Sequence, residues 1–68
     1  MVSFEPLFRT MEAKNISSYR LGKLGFPMSS YYNIKRGKNV SIQTIAALCE
    51  ILDCEITEVV EIVREPKR

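Results

Sequence analysis

Apolar residues recur every three or four positions through most of the chain, which is the spacing of short amphipathic helices. Pro6 can begin the first helix, because the first turn does not use the N–H that proline lacks. Ser17 and Ser41 can cap the N-termini of the second and fourth helices, and Gly37 can end the third. The pattern therefore predicts four helices, over residues 6–14, 18–24, 28–36 and 42–52.

The third predicted helix has an outward face unlike that of an ordinary surface helix. Tyr31 and Ile34 lie three positions apart and can turn inward together. The opposite side carries flat, hydrogen-bonding and adaptable side chains in place of the usual Glu and Lys. These residues are Met28, Ser29, Tyr32, Asn33 and Arg36. Such a face suits the recognition of another molecule.

The C-terminal segment has two interpretations. Thr57 can cap a fifth short helix. Four β-branched residues within 59–63 suit either the end of that helix or a terminal strand over 61–64 that pairs with residues 2–4. Both interpretations stay open at this point, and residues 65–68 are expected to form a frayed tail.

The composition indicates one small globular domain over residues 1–68. A chain of this length buries only roughly 60% of its unfolded surface, which leaves no room for a deep catalytic cleft. Its 46% hydrophobic content is too high for a disordered tail. The longest apolar run, 45–49, is far too short to span a bilayer, and residues 1–8 lack the basic start and apolar stretch of a signal peptide. We therefore expect a cytoplasmic, all-α domain with no membrane contact.

The groups needed for catalysis are missing from the sequence. It contains no histidine, no glycine-rich phosphate loop and no paired carboxylates in an apolar context. Cys49 and Cys54 are five positions apart, which without histidine matches no usual zinc site, and we expect both thiols to be free and buried. No enzyme activity, metal or cofactor is expected, and no small-molecule ligand pocket is evident.

The charge is distributed unevenly along the chain, although the net charge is only +2. Residues 1–40 hold seven Lys or Arg against two Glu, a net +5, whereas residues 41–68 hold three against six acidic residues, a net −3. Such asymmetry is a pointer to nucleic-acid or membrane-surface contact.

Short helices with a glycine-containing turn before a polar third helix are the arrangement in which a helix-turn-helix reads DNA. Over almost its whole length the chain resembles the Cro and phage-repressor type of helix-turn-helix regulators, the XRE family, especially its small stand-alone bacterial or phage members. The resemblance lies in ISSYRLGKLGF and SSYYNIKRGKNVSIQTIAALCEILDCEITEVVEIV, and RGKNVSIQTIAALCEILDC is its most specific part. It implies a compact five-helix bundle of the repressor-like DNA-binding type, with the helix-turn-helix over residues 18–36.

The resemblance also implies roles for individual residues, with the third helix in the major groove of double-stranded DNA. The positions that touch base edges are Met28, Ser29, Tyr32 and Asn33. The positions that bind phosphate are Ser17, Ser18, Lys35, Arg36, Lys38 and Asn39. The chemistry agrees, because Asn can pair with adenine in two places and Met or Tyr can pack on a thymine methyl. Family members usually act as dimers on two half-sites, so we expect a homodimer that DNA can help to assemble.

One feature departs from the family pattern. Family members usually carry one more residue between the leucine of the second helix and the glycine of the turn, and Gly22 stands where alanine is common. Either the second helix is shortened or the turn is tightened. A sequence-specific transcriptional repressor is the expected function. The alternative is a protein-interaction module on the same fold, such as an antitoxin-like or phage accessory partner.

Overall fold

A computed structural model describes residues 1–64, in which four α-helices pack beside a two-stranded sheet. In chain order the elements are β1 (Val2–Ser3), α1 (Glu5–Ala13), α2 (Ser18–Lys23), α3 (Met28–Lys35), α4 (Ile42–Leu52), a 3₁₀ turn (Ile56–Glu58) and β2 (Glu61–Ile62). The four predicted helices are confirmed, with every end within one residue of the prediction. None of the helices within residues 1–64 has the length and apolarity that crossing a membrane requires.

Two of the helices begin at the serine caps that the sequence predicts. The Ser17 hydroxyl oxygen accepts a hydrogen bond from the Arg20 N–H at 3.1 Å at the start of α2. Ser41 does the same for the Thr44 N–H at 3.1 Å at the start of α4. Each bond satisfies a backbone donor that the helix leaves free, which typically stabilises a helix by about 1 kcal/mol.

All four helices end in the same way, on a residue in the left-handed conformation. In α3 this residue is Gly37, whose N–H bonds to the Ile34 carbonyl at 3.0 Å, while the Lys38 N–H reaches back to the Asn33 carbonyl at 2.9 Å. This pair of bonds is the Schellman motif. The left-handed residues that end α1 to α4 are Asn15, Gly25, Gly37 and Asp53. The repeated motif turns the chain sharply after each helix and keeps the connections short.

The core is built from residues of all four helices and of the segment after α4. Four side chains are fully buried and form its centre: Leu7, Leu21, Leu48 and Val59. Around them lie Met11, Phe26, Tyr31, Ile34, Ile45 and Leu52. Apolar residues cover most of the circumference of α4, but Ile42 in its first turn is 73% exposed and Ala46 is also exposed. The N-terminal turn of α4 therefore extends beyond the core.

The segment after α4 differs from the predicted fifth helix. Residues 56–58 form a single 3₁₀ turn, and no fifth α-helix occurs within residues 1–64. Its cap is Glu55 and not Thr57, because the Glu58 carboxylate accepts from the Glu55 N–H at 2.9 Å and the Glu55 side chain caps the turn in return. The Thr10 hydroxyl of α1 donates to the Glu58 carbonyl at 2.6 Å. Contacts to α1 thus hold this segment in a short turn.

Of the two interpretations of the C-terminal segment, the structure adopts the strand. β1 and β2 pair antiparallel, with Val2 opposite Ile62 and Ser3 opposite Glu61. The pairing is shorter than the predicted match of 2–4 with 61–64, and the predicted frayed tail, 65–68, lies outside the described residues. The sheet brings the two ends of the described chain together.

The two cysteines are free, as expected, but they are half-buried at the edge of the core. Burial, together with the neighbouring Cys49, raises the pKa of the Cys54 thiol. Cys54 is therefore a neutral thiol at neutral pH, which makes it a poor nucleophile.

Candidate nucleic-acid interface

The turn between α2 and α3 is fixed by one buried side chain. Gly25, at φ +108°, ends α2, and the next residue, Phe26, is only 2% exposed. The Phe26 N–H bonds to the Leu21 carbonyl at 3.2 Å, so backbone and side chain anchor the turn at the same place. Pro27 then leads directly into α3. Helix α3 therefore has a defined direction relative to α2.

The departure from the family pattern at α2 has a structural solution. Helix α2 has six residues, and Leu24, directly after it, is 43% exposed. At Gly22, an added Cβ would lie 2.8 Å from the Met28 sulfur, which is too close for two carbon or sulfur atoms. The absence of a side chain at Gly22 allows Met28 to pack directly on α2. The short α2 is thus accompanied by close packing of the Met28 side chain on Gly22.

The inward side of α3 is anchored as predicted. Tyr31 is 7% exposed and Ile34 is 3% exposed. The ring of Phe8 from α1 meets the Tyr31 ring edge to face, with 6.3 Å between the ring centroids. The aliphatic and aromatic contacts on this side fix the rotation of α3 about its axis. The opposite side consequently has a defined orientation toward solvent.

The four predicted base-reading residues occupy two adjoining parts of the outward side. Tyr32 is 52% exposed and Met28 is half-buried, and both line a shallow hollow of about 410 Å³ together with Ser18. Ser29 is exposed and Asn33 is half-buried, and they lie one helical turn apart outside this hollow. Hydrogen bonds within residues 1–64 leave the Asn33 amide unengaged. The amide is thus available to an outside partner.

Tyr19 and Lys23 belong to this surface, although the sequence interpretation did not include them. Tyr19 is 72% exposed on α2, and the Lys23 ammonium lies 5.5 Å from its ring centroid. Both line the hollow beside Met28 and also a second one, of about 590 Å³, beside Ser17 and Arg20. The signal for them was the helical spacing, which places Tyr19 and Lys23 on one side of α2, opposite the buried Leu21.

The predicted phosphate-binding residues fall into three places. Ser17 and Ser18 lie at the N-terminus of α2, and the Ser17 hydroxyl, which already accepts from Arg20, keeps its own hydrogen for donation. Lys35, Arg36 and Lys38 are exposed at the end of α3, where the Lys35 ammonium lies 5.9 Å from the Tyr31 ring centroid. Asn39 is exposed but lines a separate apolar groove beside Val40 and Ile42.

The electrostatics of α2 and α3 are uniform in sign. No Asp or Glu occurs between Glu12 and Glu50, whereas the same stretch contains six Lys or Arg. Among residues 1–64 the single ion pair joins Glu5 and Arg9, at 3.3 Å, and lies in α1. The cations of α2, α3 and the loop after α3 are therefore uncompensated by carboxylates of the described chain. A surface of this kind attracts a polyanion.

A family model described as the Cro/C1-type HTH DNA-binding domain matches residues 7–65 of the chain. The chain belongs to the Cro/C1-type helix-turn-helix DNA-binding domains. The predicted resemblance is thereby confirmed, as is the prediction that the chain is not an enzyme, because this is a family of DNA-binding domains.

A solved structure agrees with the assignment to the Cro/C1-type domains. A crystal structure of the transcriptional regulator VanUg is similar to this chain, with a TM-score of 0.81 and 25% sequence identity. The match covers 94% of this chain and 87% of the VanUg chain. No curated protein matches the chain. The Cro/C1-type domain thus also shares its fold, over nearly its whole length, with a regulator of transcription.

Proposed function

We propose that this Cro/C1-type domain is a transcriptional regulator that binds a specific double-stranded DNA operator with α3 in the major groove. The observation that carries the proposal is the outward side of α3, where Ser29 and Tyr32 are exposed and the half-buried Asn33 amide has no hydrogen-bond partner within residues 1–64. The major groove of B-DNA is about 12 Å wide and admits one α-helix with such side chains. The domain acts in the cytoplasm, where the operator is accessible.

Each base-reading residue has a chemistry that matches a base edge. The Asn33 amide donates to N7 and accepts from N6 of adenine, which is a bidentate contact. The Ser29 hydroxyl pairs with donors or acceptors, and the Tyr32 ring packs on a thymine methyl. Met28 contributes an apolar contact from its position on Gly22, and its half-buried side chain limits the reach of that contact.

The phosphate-binding residues hold the helix in register on both sides of the groove. Ser17 and Ser18 approach one strand from the N-terminus of α2, where free N–H groups attract an anion. Lys35, Arg36 and Lys38 approach the other strand from the end of α3. Asn39 contacts the sugar-phosphate backbone at the border of this cationic group. These contacts supply affinity without sequence choice.

The domain binds its operator as a homodimer and represses transcription by occupying the site. A single α3 reads only a few base pairs, whereas two copies related by a two-fold axis read two half-sites. The larger contact area raises the affinity for the operator above the affinity for random DNA.

A selection from random duplexes, followed by footprinting, tests the proposed function. We expect one enriched sequence with inverted half-sites, bound more tightly than random DNA, and protection of major-groove positions within each half-site. Weak binding to random duplex should also occur at low salt. A complete absence of binding to any duplex at low salt would contradict DNA binding and favour the protein-interaction alternative.

A further inference from the structure

The two cysteines are the first and last residues of the turn that ends α4. The Cys54 N–H bonds to the Cys49 carbonyl at 3.0 Å, and the Asp53 N–H bonds to the Glu50 carbonyl at 3.4 Å. Asp53, directly before Cys54, is left-handed, at φ +53°. These bonds and this dihedral angle form a Schellman motif. One backbone hydrogen bond therefore joins the same two residues that carry the thiols.

The side chains of Cys49 and Cys54 lie on the same side of this turn. In a Schellman motif the first and last residues commonly contact each other through their side chains. Both cysteines are half-buried and pack against the core, whereas Glu50 and Asp53 between them are exposed. The raised pKa of the Cys54 thiol agrees with this contact, because the neighbouring Cys49 contributes to it after burial. The two thiols are thus neighbours at the edge of the core.

This arrangement meets the requirements for a disulfide. Two cysteines can be bridged without backbone movement only if their Cα atoms lie within roughly 7 Å and their Cβ atoms do not point apart. The 3.0 Å hydrogen bond between the two backbones limits the Cα separation to about this value. Packing against one core directs both side chains the same way. The fold therefore holds the two cysteines ready for a cross-link.

We propose that Cys49 and Cys54 are a dithiol that a low-molecular-weight disulfide converts into an intramolecular disulfide. A thiolate of one cysteine attacks the reagent, forms a mixed disulfide and releases one molecule of the reduced reagent. The other cysteine then attacks the protein sulfur of the mixed disulfide and releases the second molecule. Two protein thiols are oxidised, one reagent disulfide is reduced to two thiols, and these take up the two protons that the cysteines lose.

The cross-link fastens the segment after α4 to the end of that helix. Cys54 begins the segment that contains the 3₁₀ turn (Ile56–Glu58) and the fully buried Val59. In the reduced chain, the hydrogen bond from Thr10 holds this turn. Disulfides of intracellular proteins are mostly transient and redox-sensing, and a reversible bond at this place would make the stability of the segment depend on oxidation. Neither cysteine lines the hollows of the α2–α3 surface, so the inference does not rest on the proposed function.

The test is equilibration of the full reduced chain with mixtures of reduced and oxidised glutathione, followed by acid quenching and mass spectrometry. A mildly alkaline buffer is used, because the raised pKa of Cys54 keeps its thiol neutral at pH 7. The wild type should become two hydrogen atoms lighter and carry no glutathione, since the second cysteine displaces it. Cleavage after glutamate locates the bond. Glu50 lies between the cysteines, so fragments 13–50 and 51–55 should stay joined until a reductant is added.

A matched variant tests whether the turn, and not the mere presence of two thiols, favours the disulfide. Cys49→Ser/Glu50→Cys keeps two thiols but moves one of them to an exposed position of α4. Its equilibrium constant for intramolecular disulfide formation should be at least about tenfold lower than that of the wild type. Circular dichroism verifies the fold of the variant.

The unfolded chain provides a second comparison. In urea the spacing of the cysteines is unchanged but the Schellman motif is lost, so the equilibrium constant of the wild type should fall. By linkage, the oxidised chain should melt at a higher temperature than the reduced chain. A wild type that ends as the mixed disulfide, or that forms no bond between fragments 13–50 and 51–55, would overturn the proposal. So would a Cys49→Ser/Glu50→Cys variant or an unfolded chain that closes the disulfide as readily as the folded wild type.

Discussion

Asn33 and Lys35 lie two positions apart on α3, but their replacement should change DNA binding in different ways. Asn33→Ala should cost about 1–3 kcal/mol of binding free energy on the selected operator and little on random DNA, because an amide reads a base edge. Lys35→Ala should weaken binding to both, since phosphate contacts carry no sequence information. Fluorescence anisotropy on the two duplexes at one salt concentration measures the difference. Equal losses on both duplexes for Asn33→Ala would remove its base-reading role.

Tyr19 is an exposed aromatic residue of α2 that lines the same hollow as Met28 and Tyr32 of α3. With 72% of the residue exposed beside Lys23, its ring and hydroxyl are available to the DNA backbone. We expect Tyr19→Ala to reduce affinity for operator and random DNA alike, by about 0.5–1.5 kcal/mol, which is typical of one hydrogen bond. Tyr19→Phe shows how much of the loss belongs to the hydroxyl. The melting temperature should not change, and a variant that binds with wild-type affinity would exclude Tyr19 from the interface.

At the scale of elements, the contact between α2 and α3 depends on a missing side chain. Gly22→Ala favours the helical conformation of α2 by roughly 0.5–1 kcal/mol, but its Cβ would lie 2.8 Å from the Met28 sulfur. Met28 therefore has to move, and operator affinity should fall while the fold persists. Met28→Ala alone should also weaken binding.

The double variant tests whether Gly22→Ala and Met28→Ala reduce operator affinity through the same contact. If Gly22→Ala acts by displacing Met28, the loss of operator affinity in Gly22→Ala/Met28→Ala should be smaller than the sum of the single losses. Titrations of the four proteins against the same duplex complete the cycle. Additive losses would mean that Gly22 acts on DNA binding by a route that does not include Met28.

The helices were predictable because their signals are local. Ser17, Ser41 and Gly37 make hydrogen bonds that close within five residues, so spacing alone identifies them. The 3₁₀ turn was not predictable in this way. It is held by the bond from Thr10, 48 positions away, and is capped by Glu55, a residue type that is not among the usual N-caps.

In the candidate site, too, the features that depend on local spacing were predictable and those that depend on tertiary contacts were not. Periodicity was enough to turn Tyr31 and Ile34 inward and so to define the outward side of α3. It could not place Asn39 at the apolar groove, nor Leu24 in solvent, because both depend on how the short α2 and the loop after α3 meet other elements. Residue spacing determines which residues share a face of a helix, whereas tertiary contacts determine which elements that face lies next to.

For the whole molecule, the proposed function predicts dependence on both half-site spacing and salt. Two inverted half-sites about 10 base pairs apart place two copies on one face of DNA, and about 5 further base pairs place them on opposite faces. Cooperative binding in a gel-shift assay should be strong on the first duplex and lost on the second. Equal cooperativity on both would contradict a fixed dimer.

The dependence of DNA affinity on salt concentration gives a count of the Lys and Arg side chains that contact phosphate. Each Lys or Arg that neutralises a phosphate contributes about −0.9 to the slope of log K against log salt. If Arg20, Lys23, Lys35, Arg36 and Lys38 all contact phosphate, one chain should give a slope of about −4.5. Replacing any of them by Ala should reduce its magnitude by about 0.9, and an unchanged slope would place that residue outside the contact.

The pairing of Val2 with Ile62 closes a loop of about 60 residues with a ladder only two residues long. So short a ladder cannot offset the entropy of closing that loop by itself, and the helices must be in place before the strands meet. The terminal sheet is thus the part expected to open first in amide hydrogen exchange, while the core around Leu48 stays closed. Since both strands line the apolar groove beside Val40 and Ile42, each opening dismantles it.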